Sequence, residues 1–323
     1  MVDFRYHLVS LISVFIALAL GVVLGAGPLQ EPIANGLTGQ VEALKENQAQ
    51  NILEIEKAHS DIAQRNEWIF DTARATLAGS LKDRKVALVT FPGARQTDID
   101  DLRSLIETAG GAINQRATLT ADWANKKQTE YRIELANTLA PELTNKLADT
   151  ANSGDVLGHA LVESLTLDTP EAVALREKLA GAETTLVEFD QASNVTSDTI
   201  LVLGAPAEAV VKPAENAVTP QDKKAKTNAS AKGADIAALT GLANAVVLAP
   251  NWGVVLGDGE SEKGLVAVLR NASVKVTTVD SAGTTMGNTS AILALVNAKD
   301  KNLKIGFAPS AQQVIPELHT QAK

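Results

Sequence analysis

The sequence predicts an α/β protein: a single N-terminal transmembrane helix, a coiled-coil stalk, then a Rossmann-like, doubly wound, mostly parallel sheet. Three observations predict it. Residues Leu8 to Gly27 (LVSLISVFIALALGVVLGAG) carry no charge. From about Leu37 to Leu81 there is no proline, and apolar residues recur at spacings of three and four. Beyond Arg84, short apolar runs rich in β-branched residues alternate with helical segments, the pattern of a parallel sheet covered on both faces.

At a 1.5 Å rise per residue, residues 8–27 span about 30 Å, the thickness of a hydrocarbon core. A cut after Ala26 would put Leu24 where a small residue is needed, and Pro28 lies just beyond it. An uncleaved signal-anchor is therefore expected. Arg5 and the amino terminus precede the span, opposed by Asp3, whereas Glu31 is the first charge after it and Lys45 the first base. Residues 1–7 are thus expected to be a cytoplasmic tail, with the bulk of the chain extracytoplasmic. Ser13, Ala17, Gly21 and Gly25 recur every fourth residue. Small side chains on one stripe let helix backbones approach closely, which predicts an association face toward a copy of the helix or a different protein.

The stalk is expected over 31–82. Leu37, Val41, Leu44, Ile55, Ala58, Ile62 and Ile69 occupy a and d positions of one heptad frame, and Gln48, Asn51, Arg65 and Thr72 interrupt the same seam. Polar seam residues weaken such a coil and fix its register and partner number. The competing reading is one amphipathic helix packed on its own head. A free helix from Leu37 to Leu81 would extend about 67 Å.

The head is expected over 84–323. Val86–Phe91 is the first strand, ended by Pro92-Gly93. Thr97 resembles a helix N-cap, with Asp98, Asp100 and Asp101 in the first turn of a helix that runs to Ala109 and stops at Gly110-Gly111. Ala112–Leu119 reads as the second strand. Residues 130–182 read as helical, with breaks at Pro141, Gly154 and Pro170. Ile200–Leu203, Ala245–Leu248, Val274–Val279 and Lys304–Phe307 complete the strands. Residues 207–233, rich in Ala, Pro, Lys and Asn and carrying Lys212, Lys223, Lys224, Lys226 and Lys232, are expected to be a mobile insertion.

The chain has 323 residues, 45% of them hydrophobic, with formal charge −9 and an isoelectric point near 5.1. That acidic balance argues against nucleic acid as partner. There is no cysteine, hence neither disulfide nor thiolate chemistry. Asn194, Asn228, Asn271 and Asn288 begin Asn-x-Ser/Thr triplets, a pattern that recurs by chance.

Ligands of such sheets bind beyond the carboxyl ends of the strands. Phe91-Pro92-Gly93-Ala94-Arg95, Gly204-Ala205-Pro206 and Pro250-Asn251-Trp252-Gly253 follow the expected strands, with no phosphate-binding glycine motif and no Asp, His or Cys among them. Asp258, Glu260 and Glu262 lack the spacing of a calcium loop. Asp98, Asp100 and Asp101 read as acids decorating a helix start rather than as an acid/base cluster. His7, His59, His159 and His319 fall in four segments without ligand spacing, and no G-x-S-x-G elbow exists. No catalytic, cofactor-binding or metal-ligating residue is therefore expected.

The opening Met1-Val2-Asp3-Phe4-Arg5-Tyr6-His7-Leu8-Val9-Ser10-Leu11, the stretch Gly21-Val22-Val23-Leu24-Gly25-Ala26-Gly27-Pro28-Leu29, and Arg84-Lys85-Val86-Ala87-Leu88-Val89 with Pro92-Gly93-Ala94 resemble the MctB family. That family is named for copper transport at the outer membrane of mycolic-acid bacteria. Within it the chain resembles a corynebacterial member linked to cell separation. The resemblance implies a SteA-like membrane partner and control of a peptidoglycan hydrolase. Copper(I) sites want Cys, Met or His clusters, and the methionines here are Met1 and Met286. A pore would need strands that alternate toward lipid. The expected function is thus a non-enzymatic, single-pass envelope protein in the cell membrane. It would associate through its membrane helix and its coiled coil, as a homodimer or heteromer, with partners controlling cell separation. The alternative is copper transport in the outer envelope or outer membrane.

Overall fold

The structure is a computed structural model that describes residues 4–25, 30–148, 150–190, 196–207, 234–297 and 302–316. It divides into two units, Met1–Arg65 and Asn66–Lys323.

In the first unit, α1 (Phe4–Gly25) contains Arg5–Val23, a stretch long and apolar enough to cross a membrane. The expected span 8–27 therefore begins earlier as a helix, and Ala26 to Pro28 lie outside the described residues. Helix α2 (Gln30–Leu77) starts there and ends in the second unit. It stops five residues before the expected boundary at 82, in a turn where Gly79 and Asp83 adopt positive φ.

The second unit is built on β1 (Lys85–Thr90), α3 (Gln96–Thr108), β2 (Ala112–Leu119), α4 (Thr129–Leu139), α5 (Ser153–Thr166), α6 (Pro170–Ala180), β3 (Val187–Asp190), β4 (Thr199–Leu203), α7 (Ile236–Val246), β5 (Gly253–Leu256), α8 (Leu265–Asn271), β6 (Thr277–Val279), α9 (Thr285–Val296) and β7 (Lys304–Ile305). The described strands form one open sheet in the order β3-β2-β1-β4-β5-β6-β7. All neighbours are parallel except β2 and β3. The expected doubly wound sheet is present.

Alternation sorts the strand residues between two cores, because successive side chains leave opposite faces. Ala87, Val89, Ile200, Val202 and Val255 join α4 to α8 on one face. Val86, Leu88, Leu201, Leu203, Val254 and Leu256 join α3, α9 and the end of α2 on the other. Helix α9 returns to the α3 face although β7 continues outward beyond β6. The β6–α9–β7 crossover consequently has the opposite hand to β4–α7–β5, a departure from the usual rule.

Several expectations are corrected. Ala245–Leu248 is not a strand but the end of α7 and the turn after it, and the strand is Gly253–Leu256. A four-residue apolar run cannot be told from a buried helix segment by periodicity. Gly253 permits the strand there, since a Cβ would collide with the Ile200 carbonyl of β4. Strand β3 was not foreseen, because an antiparallel edge strand of four residues with exposed Glu188 and Asp190 has little apolar signal. Thr97 is not the cap of α3. Arg95 holds that position without a side-chain cap bond. Gly154 is no break; it lies in the first turn of α5, behind the Asn152–Asp155 capping box. The strands expected at Val274 and through Phe307 are shorter, Thr277–Val279 and Lys304–Ile305. The expected insertion, apart from Ala207, lies outside the described residues.

Candidate functional site

Three places can carry function: the stripe on α1, the seam on α2 and the carboxyl edge of the sheet. On α1, Ser13, Ala17, Gly21 and the backbone at Gly25 share a helix face by their spacing of four. The Ser13 hydroxyl donates to the Val9 carbonyl at 2.8 Å, so its polarity is satisfied within the helix. A Cβ at Gly21 or Gly25 would meet nothing within 4 Å. The face is bare.

On α2, Val41, Leu44, Ile55 and Ile62 of the expected seam are 44% to 60% exposed. Gln48, Asn51, Ala58 and Arg65 between them are exposed as well, whereas Ile69 is half-buried. The side chain of Leu37 lies outside the described ones. Farther down the helix, Phe70 packs on the head core, in which Ala73 and Leu77 are buried. The last two turns of the expected coiled coil therefore belong to the head.

The carboxyl edge is where the sequence reading changes most. With β5 at Gly253–Leu256, its carboxyl end is Gly257-Asp258-Gly259, and β6 ends on Asp280. Acids do stand at these strand ends, contrary to expectation. Asp258 accepts from the backbone N–H of Glu260 at 2.8 Å and of Ser261 at 3.2 Å, and from the Ser261 hydroxyl. Asp280, fully buried, accepts from Arg270 at 2.9 Å, from the Ser281 hydroxyl at 2.8 Å, and from the N–H of Phe307 and Ala308 at 2.7 and 3.1 Å. Arg270 also donates to Thr278 and to the Ile305 carbonyl. Burial pushes the Arg270 guanidinium below its ordinary range, and the hydrogen bond and charge of Asp280 oppose that. Gly306, at φ 132°, is required beside this pair, because a Cβ would fall on the Asp280 carboxylate.

The strand order reverses between β1 and β4, the point where sheets of this class hold their ligands. Here Arg95 grips Asp98 through two 3.0 Å hydrogen bonds and donates to the Gly283 carbonyl at 2.7 Å. The Asp98 hydrogen bond holds Arg95 above its ordinary range. Gly283, at φ 83°, is wedged between Arg95 and Pro206, so the turn before α9 lies across the reversal point. Burial, with the charges of Asp98 and Asp100, raises Asp101. Asp98, Asp258 and Asp280 are all engaged in holding loops. Their lone pairs are committed to donors of the chain itself, an arrangement that fixes backbone rather than activating a substrate.

His7, His59 and His159 sit on α1, α2 and α5 respectively, and His319 lies outside the described residues. Burial lowers His159, opposed by Glu163 and Asp155. Met286 is partly exposed on α9. Among the described residues no three His, Cys, Asp or Glu converge as a metal site. Asn288, in one of the Asn-x-Ser/Thr triplets, is buried within α9.

Sequence reasoning missed Asp280, Arg270 and Gly283, whose importance is invisible before the strands are placed. The Leu-Gly-Asp-Gly run at 256–259 was the available signal, since glycines flanking an acid after an apolar run mark a strand end.

Fold and site together define a class: an α/β protein with an N-terminal helix fit for a membrane, a long exposed helix, and a sheet edge tied shut by internal ion pairs. The chain belongs to the MctB family, described as copper transport outer membrane protein, which it matches over residues 1–316. It is 25% identical over 307 residues to a protein named copper transporter MctB in Mycobacterium tuberculosis, covering 91% of this chain and 92% of the relative. The same figures hold for copper transporter MctB of Mycobacterium bovis. Copper transporter MctB of Mycobacterium leprae is 26% identical over 167 residues, 50% of this chain and 53% of that protein.

Proposed function

We propose that this chain serves copper transport in the cell envelope as a non-enzymatic, membrane-anchored component that assembles with partners rather than ligating the metal. The match to copper transporters over nearly the whole chain carries the copper half of this reading. The ligand inventory supports the other half. Copper(I) prefers thiolate, thioether and imidazole, and the chain has no cysteine and one internal methionine. Its carboxylates suit hard ions. The apolar helix α1 supports membrane anchoring, and in this proposal the N-terminus is cytoplasmic and the head lies in the envelope.

Two measurements test the halves separately. A strain lacking the chain is expected to change its cellular copper content, restored by the wild-type gene. Unchanged copper would remove the transport reading. If such cells instead failed to separate, the role would lie with a SteA-like membrane partner and a peptidoglycan hydrolase. For the second half, the purified full-length protein in detergent is expected to yield copper(I) to a chelating probe. Stoichiometric copper retained against the probe, and lost on Met286→Ala or His159→Ala, would make the chain itself the carrier.

The α1 stripe supports assembly in the membrane. Gly21→Ile with Gly25→Ile is expected to reduce co-purification of whatever helix packs there, because the added branches separate the backbones. Undiminished crosslinking of the double variant in membranes would show that the stripe is not a contact face.

A further inference from the structure

We propose that the exposed stripe on α2 binds a second copy of this chain, as a parallel, in-register, two-stranded coiled coil confined to residues 41–65. This does not rest on the copper reading. Three observations carry it.

The first is where the stripe ends. In the heptad frame Val41, Leu44, Ile55 and Ile62 occupy a and d, whereas Phe70, Ala73 and Leu77 fall at b, e and b. Phe70, Ala73 and Leu77 are taken up in the head core, while Val41, Leu44, Ile55 and Ile62 are exposed. An apolar stripe that stands exposed along a helix calls for another helix. Arg65, at a d position, closes the seam.

The second is the residue type at each seam position. Val41, Ile55 and Ile62 fall at a, and β-branched residues at a favour two parallel strands. Asn51, at d, has a self-complementary amide that fixes register when it meets its own copy.

The third is charge. In this frame Gln40, Asn47, Glu54 and Asp61 occupy g, and Lys45, Ile52, His59 and Asn66 occupy e. A parallel pair sets each g against the e five residues on in the other copy. Glu54 then faces His59 and Gln40 faces Lys45, with no like charges opposed. An antiparallel pair would set g against g and bring the acids Glu54 and Asp61 together. The sequence is thus complementary to itself in one orientation only. That orientation is also the one imposed on two copies whose α1 helices enter the same membrane the same way.

The absence of cysteine makes the test direct. Single cysteines are placed in the full chain, in native membranes, at Asn51→Cys and Ile55→Cys on the seam and at Leu53→Cys on the outer face. All three positions are exposed, and none belongs to the head core. Mild oxidation is expected to convert the two seam variants to covalent dimers of twice 33.8 kDa and to leave Leu53→Cys monomeric. Comparable crosslinking of Leu53→Cys, or none at either seam position, would overturn the proposal. Capture of a different protein by the seam cysteines would assign the face to a heteromeric coil. A charge swap tests orientation independently. Glu54→Lys is expected to weaken the Asn51→Cys crosslink several-fold, and adding His59→Glu to restore it. Failure of the second change to rescue the first would exclude the parallel register.

Discussion

Asp280→Ala is expected to destabilise the head by about 3–5 kcal/mol, the cost of removing one partner from a buried ion pair. Arg270 and Asp280 have side-chain exposures of 1% and 0%. The substitution leaves a guanidinium inside the protein without its counter-charge. It also strips the N–H groups of Phe307 and Ala308, and the Ser281 hydroxyl, of their acceptor. Typical domains are stable by only 5–15 kcal/mol, so one change consumes much of that margin. Urea unfolding of wild type and variant, followed by circular dichroism at one pH, measures the difference. Removing both partners by Arg270→Met with Asp280→Leu is expected to cost less than Asp280→Ala alone, since no unpaired charge remains. A loss below about 1 kcal/mol for Asp280→Ala would show that water reaches the pair, and that Asp280 is free for another role at the strand end.

Gly241→Ala is expected to destabilise the head by about 2 kcal/mol, within the usual range for overpacking. Helix propensity alone gives the opposite sign, because alanine is favoured over glycine inside a helix by about 1 kcal/mol. The sign therefore decides which effect wins. Helices α5 and α7 cross at Gly154, Gly158 and Gly241. A Cβ on Gly158 would lie 2.5 Å from the Gly241 carbonyl oxygen and 2.8 Å from the Leu242 Cα, and one on Gly241 would fall on the Gly154 carbonyl. The obstacles are backbone atoms, so no side-chain rotation relieves them. To admit the methyl the helices must separate, which opens the core around Leu157, Leu161 and Leu242. Gly39→Ala on α2 is the matched control, with nothing within 4 Å of the added atom. It is expected to leave the melting temperature unchanged or slightly raised. A stabilised Gly241→Ala would mean that the two helices are farther apart than this geometry has them.

The two expectations concern features of unequal legibility. Gly154 reads as a helix breaker in the sequence, because a lone glycine carries no mark that separates a break from a close crossing. Arg270 and Asp280 read as two more surface charges in an acidic chain. The first meaning appears only when α5 and α7 are brought together, the second only when β6, β7 and α8 lie side by side. A strand expected at Ala245–Leu248 ends at Pro250, whereas the observed β5 ends before Asp258. Short apolar runs carry no period long enough to separate strand from buried helix.

What the sequence determined by itself is what depends on local pattern. The uncharged run in α1, the seam of α2, the alternating burial of β1 and β4, and the class of the sheet are properties of neighbours along the chain. Helix and strand periods fix which side chains share a face wherever the element ends up. What only the tertiary structure decided is what depends on distant partners. The order of the strands, the antiparallel edge β3, the return of α9 to the α3 face, the crossing of α5 and α7 on three glycines, and the saturation of Asp280 by groups from α8 and the β7 loop are such cases. A carboxylate's role is set by which donors reach it, and those donors lie up to 28 residues away. Spacing in the chain constrains such contacts weakly, because loop closure costs change only slowly with length.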